Sequence, residues 1–319
     1  MSRKRKLWFI TVLALCIVIS GTFIYKQFIK DKPKVVVILM DSNYEYWDIV
    51  SAGAEKGFKD FEMNGKVVAP KNGTVKEQIE LLDEALKEKP DALVIAPAHS
   101  DIFPKLEEFH TADIPIFFIQ TDEKWDKKTA YIGTDNFELG EKEGILMASQ
   151  LQPGEKVVLL GRQMKFESER LAGARASLEG AGIQIVAEYN QLSESIDNLN
   201  EVAKVMNSIL QEHPDLKGVV TSTDYVALPA IKVVQELGVD VPVMGTGGIL
   251  EMLQFVKEGV VPITISLNPY DMGYLSVETS ARVVNGEKVD KEIYTGIDIV
   301  TKGNAEQRLT FYQKVIKGN

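Results

Sequence analysis

Cysteine is almost missing from this chain: Cys16 is the only one in 319 residues. That excludes an intramolecular disulfide and any cysteine-built metal site. Histidine is nearly as scarce, and His99, His110 and His213 are scattered without the H-E-x-x-H spacing of a ligand pair. No metal is expected. Basic residues are the minority, 36 against 46 acidic, and the net charge of −10 excludes the positive face that a nucleic-acid partner requires. There is no G-x-S-x-G elbow and no P-loop. Gly245 and Gly247 lack the third glycine that would complete a dinucleotide fingerprint. Neither an enzyme nor a cofactor is expected. Low-complexity tracts, short repeats and Pro- or Ser-rich linkers are also lacking.

Long hydrophobic runs are represented once. Arg3, Lys4, Arg5 and Lys6 precede an uncharged stretch of 19 residues, Leu7 to Tyr25. At 1.5 Å per helical residue that stretch is long enough to cross a bilayer. The basic cluster stays inside, so the chain after Lys26 faces outward. Three fates remain open. A lipoprotein would attach through Cys16, although Leu15 stands where a small residue is needed. Cleavage after Ser20 would use Val18 and Ser20 as a small-x-small site. An uncleaved single-pass anchor through residues 7–25 needs nothing further. All three deliver the remainder to the extracytoplasmic side.

From Lys34 onward, apolar runs alternate with amphipathic stretches. The runs are Val35–Leu39, Lys66–Ala69, Ala92–Ile95, Ile114–Ile119, Lys156–Leu160, Ile183–Ala187, Gly218–Val220, Val241–Met244 and Pro262–Ile265. Continuous apolar runs of this length read as parallel strands buried on both faces. Between them, Ile79, Leu82, Ala85 and Leu86 share one helical face, as do Val202, Val205, Met206 and Ile209. Repeated βα units imply α/β architecture with doubly wound parallel sheets. Two sheets of four to six strands suit the length better than one of ten or more.

Ligands of open α/β sheets bind outside the carboxyl ends of the strands. The loop after the first run holds Asn43, Tyr44, Tyr46 and Trp47, aromatic groups able to stack on a sugar ring, or else to pack the first helix on its sheet. Gln120 follows the fourth run and offers donors and acceptors together. Thr223 and Asp224 follow the run at Val219, where Asp224 is also placed to cap the next helix. Asp135–Glu138 has capping-box spacing. Arg170 lies early in a helix whose buried stripe is Leu171, Ala174 and Leu178. It is either an exposed helix arginine or a fork of donors aimed at vicinal hydroxyls or a carboxylate.

The run V-V-V-I-L-M-D-S-N-Y-E-Y-W-D-I-V-S-A-G-A-E-K-G from Val35 to Gly57 resembles the opening of ribose- and galactose-type periplasmic binding proteins. Collinear matches follow at Lys89–Ile95, Ile114-Pro115-Ile116, Ile132–Asn136 with Gly140, Glu169-Arg170 with Gly173, and Thr223-Asp224 with Ala227-Leu228. LacI-type regulators share this fold but begin with a DNA-reading helix-turn-helix, which is absent here. The resemblance implies a type 1 fold of two lobes, each a doubly wound parallel sheet, joined by about three crossing strands. After residues 1–33, the first lobe is expected to take residues 34–136 plus 268–293 and the second 137–267 plus 294–319. Hinge residues would be Thr134, Asp135, Asn136, Leu267, Asn268 and Tyr294.

The resemblance also implies a ligand set: Tyr46 and Trp47 as stacking aromatics, Arg170 as the ligand-binding arginine, and Asn43, Tyr44, Gln120, Thr223, Asp224, Gly247 and Asn268 around them. Departures are specific. Gln120-Thr121 replaces an Asp-Arg pair, Gly247 an aspartate, Thr223 an asparagine and Leu267 a glutamine. Charged hydrogen bonds of this kind are worth about 1.5–3 kcal/mol each, so the cleft is built for something other than an ordinary pentose or hexose, or binds it more weakly. The implied function is an extracytoplasmic solute-binding protein that closes on a small sugar-like ligand and serves an ABC permease. The alternative is a sensory accessory of a membrane histidine kinase.

Overall fold

The computed structural model describes residues 32–192 and 199–318. The expected membrane segment, residues 7–25, lies outside the described residues. Among the described residues no helix is long and apolar enough to cross a membrane.

The first sheet has strand order β12-β5-β4-β3-β1-β2. Its members are β1 (Lys34–Ile38), β2 (Asn64–Val68), β3 (Ala92–Ile95), β4 (Ile116–Ile119), β5 (Ala130–Gly133) and β12 (Glu292–Tyr294). All neighbours are parallel. The Val/Ile content of β1 follows from cover on both faces. Val35 and Val37 meet Trp47, Val50 and Ala54 of helix α1 (Glu45–Asp60) and Met272 and Val277 of α9 (Pro269–Val284). Val36 and Ile38 meet Leu82 and Ala85 of α2 (Val75–Lys87) and Leu106 and Phe109 of α3 (Phe103–Thr111).

The second half holds two further sheets. One is the parallel set β7-β6-β8-β9, formed by β6 (Lys156–Arg162), β7 (Gln184–Leu192), β8 (Leu216–Thr221) and β9 (Val243–Met244). The other is β10-β11-β13, with β10 (Thr246–Gly247) parallel to β11 (Ile263–Ser266) and β13 (Asp298–Thr301) antiparallel to it. Val157 and Leu159 of β6 pack on Met147 of α4 (Asn136–Ala148) and on Leu171, Ala174 and Leu178 of α5 (Lys165–Gly180). Val158 and Leu160 face the opposite way, into a cluster with Met206 and Ile209 of α6 (Leu199–Glu212) and Val226 and Ala230 of α7 (Asp224–Leu237). Leu253 of α8 (Leu250–Glu258) and Tyr312 of α10 (Ala305–Lys317) extend that cluster.

Helices α4 and α5 cross with almost no side-chain volume between them. A Cβ on Gly140 would stand 1.9 Å from the Arg170 carbonyl oxygen, and one on Gly173 would stand 2.1 Å from that of Phe137. Only glycine permits this approach. At the start of α4, Asp135 Oδ1 accepts from the Glu138 backbone N–H at 2.9 Å, the capping that the D-x-x-E spacing requires.

Between the first sheet and the second half the chain crosses three times. Thr134-Asp135 leads from β5 into α4, Leu267-Asn268 from β11 into α9, and Thr295–Ile297 from β12 into β13. The crossings are tied together. The Thr295 backbone N–H donates to the Gly133 carbonyl at 2.8 Å, the Thr295 hydroxyl donates to the same carbonyl at 3.2 Å, and Asn268 Nδ2 donates to the Thr295 carbonyl at 3.4 Å. Tyr294 pairs with Gly133 in the first sheet, so that residue stands with the first lobe rather than the second. Asn268 adopts φ +53° as it turns the chain into α9.

Candidate functional site, a cleft between the two halves

A cavity of about 210 Å³ opens where the carboxyl ends of both sets of strands face each other. From the first half it is lined by Met40, Asp41, Tyr44, Tyr46, Trp47 and, deeper, Gln120, with Gly73, Val75, Ala98 and His99 along one side. The second half supplies Arg162, Met164, Phe166 and Arg170, then Thr223, Tyr225, Thr246, Gly247 and Ile249. Leu267, at a crossing, closes the base. Most of these positions are in strand-end loops or at the first turns of the following helix, with Arg162 ending β6 and Thr246 and Gly247 forming β10, which is where this class of sheet places its ligands.

Arg170 is a buried charged group of the cavity lining, 1% exposed. Its Nε donates to Asn136 Oδ1 at 3.0 Å. Its Nη1 donates to the Ser222 carbonyl at 3.0 Å and reaches Thr246 Oγ1 at 3.4 Å. The guanidinium sits 4.9 Å from the centre of the Phe166 ring, a cation–π arrangement. Nη2 has no hydrogen-bond partner. Burial pulls the pKa of Arg170 down from the ordinary guanidinium value, yet such a group stays protonated.

Arg162 behaves differently. Its Nε donates to Glu167 Oε1 at 2.8 Å and its Nη2 lies 2.6 Å from the same oxygen. Glu167 also accepts from the Arg162 backbone N–H at 2.8 Å and from the Ser222 hydroxyl. This pair neutralises itself.

On the opposite wall, Tyr46 donates its hydroxyl to Gln120 Oε1 at 2.6 Å, which leaves the Gln120 amide N–H groups for a ligand. Burial raises the Tyr46 pKa. Trp47 stands edge-on to Tyr46, ring centres 5.2 Å apart. Both rings line the cavity and also belong to the first core cluster, so the stacking and packing roles coexist. The lips of the cleft touch. Tyr44 and Tyr225 meet edge-to-face at 4.6 Å, Tyr44 hydrogen-bonds the Arg162 side chain, and Glu45 Oε1 accepts from the Leu250 backbone N–H at 2.6 Å. Lys165 Nζ donates to the Asp122 carbonyl.

The expected ligand residues divide. Tyr44, Tyr46, Trp47, Gln120, Arg170, Thr223 and Gly247 line one cavity. Thr223 is buried there with its hydroxyl unpartnered. Asn43 does not line it: exposed, it donates through Nδ2 to the Lys71 carbonyl at 2.7 Å. Asn268 is turned away, its Oδ1 accepting from Arg308 at 2.9 Å. Asp224 is fully buried behind the wall and does not cap its own helix. Its Oδ2 accepts from the backbone N–H groups of Gly248 (2.5 Å) and Ile249 (3.1 Å), and its Oδ1 accepts from Thr264 Oγ1 (3.2 Å). Burial pushes its pKa up to about 6, with those hydrogen bonds opposing.

Sequence reasoning passed over Arg162, Phe166, Tyr225 and Thr246. Arg162 ends β6 and Tyr225 opens α7, so the strand-end rule applied to every strand would have found both. His99 shows no ligand-pair spacing in the sequence. It does cap a 3-10 turn, accepting from the Asp101 N–H at 3.2 Å through Nδ1, and it lines the cavity rim as well. Among the described residues no group of three or more His, Cys, Asp or Glu is placed to hold a metal ion.

Residues 35–288 match the family model described as periplasmic binding protein domain. A ribose import binding protein of Bacillus subtilis (strain 168) is 26% identical over 267 residues, covering 82% of this chain and 84% of that protein. Among solved structures, a periplasmic ribose ABC transporter protein from Conexibacter woesei superposes with a TM-score of 0.80 at 22% identity. That match covers 88% of this chain and 95% of the other. A periplasmic solute binding protein of an ABC transporter from Actinobacillus succinogenes, with D-allose bound, gives 0.79 at 22% identity, covering 86% and 100%. At these identities the superpositions establish the shared two-lobed α/β fold.

Proposed function

The chain belongs to the periplasmic binding protein family, and we propose that it is an extracytoplasmic receptor for a small hydroxylated solute, held between two lobes that close by bending at the three crossings. The observation that carries this reading is the cavity itself. It is walled by aromatic rings from one half and by a buried arginine from the other, so a single ligand contacts both halves at once. A ligand that bridges the halves favours the closed form by its differential affinity for it. The relatives named above, a ribose import protein and a solute binding protein holding D-allose, support a sugar-like ligand and delivery to an ABC permease.

A second reading, presentation of ligand status to a membrane histidine kinase, is favoured by the apolar run at residues 7–25, which in uncleaved form would tether the receptor in the membrane. Copurification of the full-length chain separates the two partners. The solute-binding reading is tested by titrating the full chain with sugars, polyols and sugar acids. Tryptophan fluorescence would follow Trp47 in the cavity wall, and thermal unfolding would be measured in parallel. Ligand at 100 times its Kd stabilises by about 2.7 kcal/mol, a shift of several degrees. A panel that moves neither signal sinks the reading.

A further inference from the structure

The walls of the cleft are rich in donors and poor in acceptors. The two positions where the sugar-binding pattern would carry aspartates hold Gln120 and Gly247, both neutral, and Thr121 stands in place of an arginine. Gln120 Oε1 is already taken by Tyr46. Among the described residues, Asp41 is the one carboxylate lining the cavity. It stands half-buried at the rim of the first half, where its Oδ1 accepts from the Asn43 N–H at 2.7 Å. The second half presents Arg162, Arg170, Thr223 and Tyr225, and Tyr44 and His99 line the cavity on the side of Asp41.

Of the two arginines, Arg162 has its counter-ion in Glu167. Arg170 has none. All three of its hydrogen-bonded partners are neutral, the Asn136 amide, the Ser222 carbonyl and the Thr246 hydroxyl, and its Nη2 is buried and unpartnered. The carboxylate oxygens nearby are directed elsewhere. Asp224 holds the Gly248 and Ile249 N–H groups. Glu143 is fully buried without a hydrogen bond to either oxygen, and burial drives its pKa well above the ordinary carboxyl value. A buried guanidinium without an anionic partner is costly, and a charge-assisted hydrogen bond is what relieves it. One guanidinium without a direct ion-pair partner matches a monoanion better than a phosphate dianion.

We propose that the solute carries a carboxylate on a hydroxylated carbon skeleton, a sugar acid, and that Arg170 Nη2 receives that carboxylate beside the Thr223 hydroxyl. The inference rests on the reading of this cleft as a solute site and names the class of solute.

The experiment compares matched pairs on the full-length protein by calorimetric titration: glucuronate against glucose, galacturonate against galactose, ribonate against ribose, and ribose 5-phosphate as the dianion. At least one acid should bind ten times more tightly than its neutral parent. Arg170→Lys should retain that preference and Arg170→Gln should abolish it. Because Arg170→Gln risks misfolding, Thr246→Asp provides an independent arm. It sets an internal carboxylate beside Nη1 and should reduce the acid's advantage at least tenfold, judged against the affinity of the neutral parent for the same variant. A neutral sugar that binds as tightly as its acid overturns the inference and leaves solute binding standing. Preference for the phosphate overturns the assignment of a monoanion. Failure of every compound, acid and neutral, overturns both readings together.

Discussion

Glu143, in α4, is fully buried, and neither carboxyl oxygen has a hydrogen-bond partner. Burial is the main cause that lifts its pKa, with the charge of Arg170 acting in the opposite direction and that of Asp224 reinforcing burial. The folded state therefore holds this proton more tightly than the unfolded chain does. Its contribution to stability is complete below the unfolded carboxyl pKa and is lost as pH rises through the folded one. Glu143→Gln cannot ionise. Its stability relative to the wild type should therefore grow between pH 5 and 8, by about 1.4 kcal/mol for each pH unit in which only the folded state keeps the proton. Urea unfolding of both proteins at pH 5, 6.5 and 8 measures this. A difference that stays flat with pH would mean that Glu143 ionises alike in both states. At the same scale, the sequence made Tyr46, Trp47 and Arg170 legible because strand-end aromatics and an early-helix arginine are local features. It hid the Glu167 salt bridge and the true partners of Asp224, whose acceptors reach backbone groups 24 and 25 residues away. A carboxylate at the start of a helix looks like a cap until tertiary neighbours compete for it.

At the scale of elements, the α4–α5 crossing determines where Arg170 points. Gly140 touches the Arg170 carbonyl directly, so a methyl group there cannot be absorbed by a side-chain rotation. Alanine gains about 0.5–1 kcal/mol over glycine in a helix interior, but overpacking against backbone costs about 1–3 kcal/mol, and the second effect wins. Gly140→Ala should therefore lower unfolding stability and weaken ligand binding by displacing α5. Gly180→Ala at the end of the same helix, where nothing lies within 4 Å, should be neutral or slightly stabilising. Equal behaviour of the two variants in urea titrations would show that the crossing is loose. The apolar runs placed β1, β3, β4 and β6 well, since strands buried on both faces carry their signal in every residue. β5, β12 and β13 went unnamed. β12 is only three residues, Glu292–Tyr294, with its ends exposed, and β13 joins an antiparallel edge with alternating exposure. Such strands owe their existence to partners distant in sequence, and no local run announces them.

At the scale of the whole molecule, contacts at the mouth of the cleft join the two halves. Glu45 lies outside the cavity lining, yet its Oε1 accepts from the Leu250 N–H across the mouth of the cleft. Tyr44 bridges the same gap to Tyr225 and Arg162. In the proposed closure these lip contacts would form as the halves meet, while the ties among Thr295, Gly133 and Asn268 at the crossings would persist. Apparent affinity scales with the fraction of molecules already able to close. Glu45→Ala removes an acceptor from a partly buried backbone N–H, a loss on the order of 1–3 kcal/mol to the closed form. It should weaken ligand binding roughly five- to a hundredfold without changing ligand preference. Small-angle scattering of the full-length protein should then require more ligand to reach the same compaction. If Glu45→Ala changed which solute is preferred, Glu45 would have to be part of the recognition surface. If affinity were untouched, closure would depend on the ligand alone, and the contacts at the lips would follow closure without contributing to it.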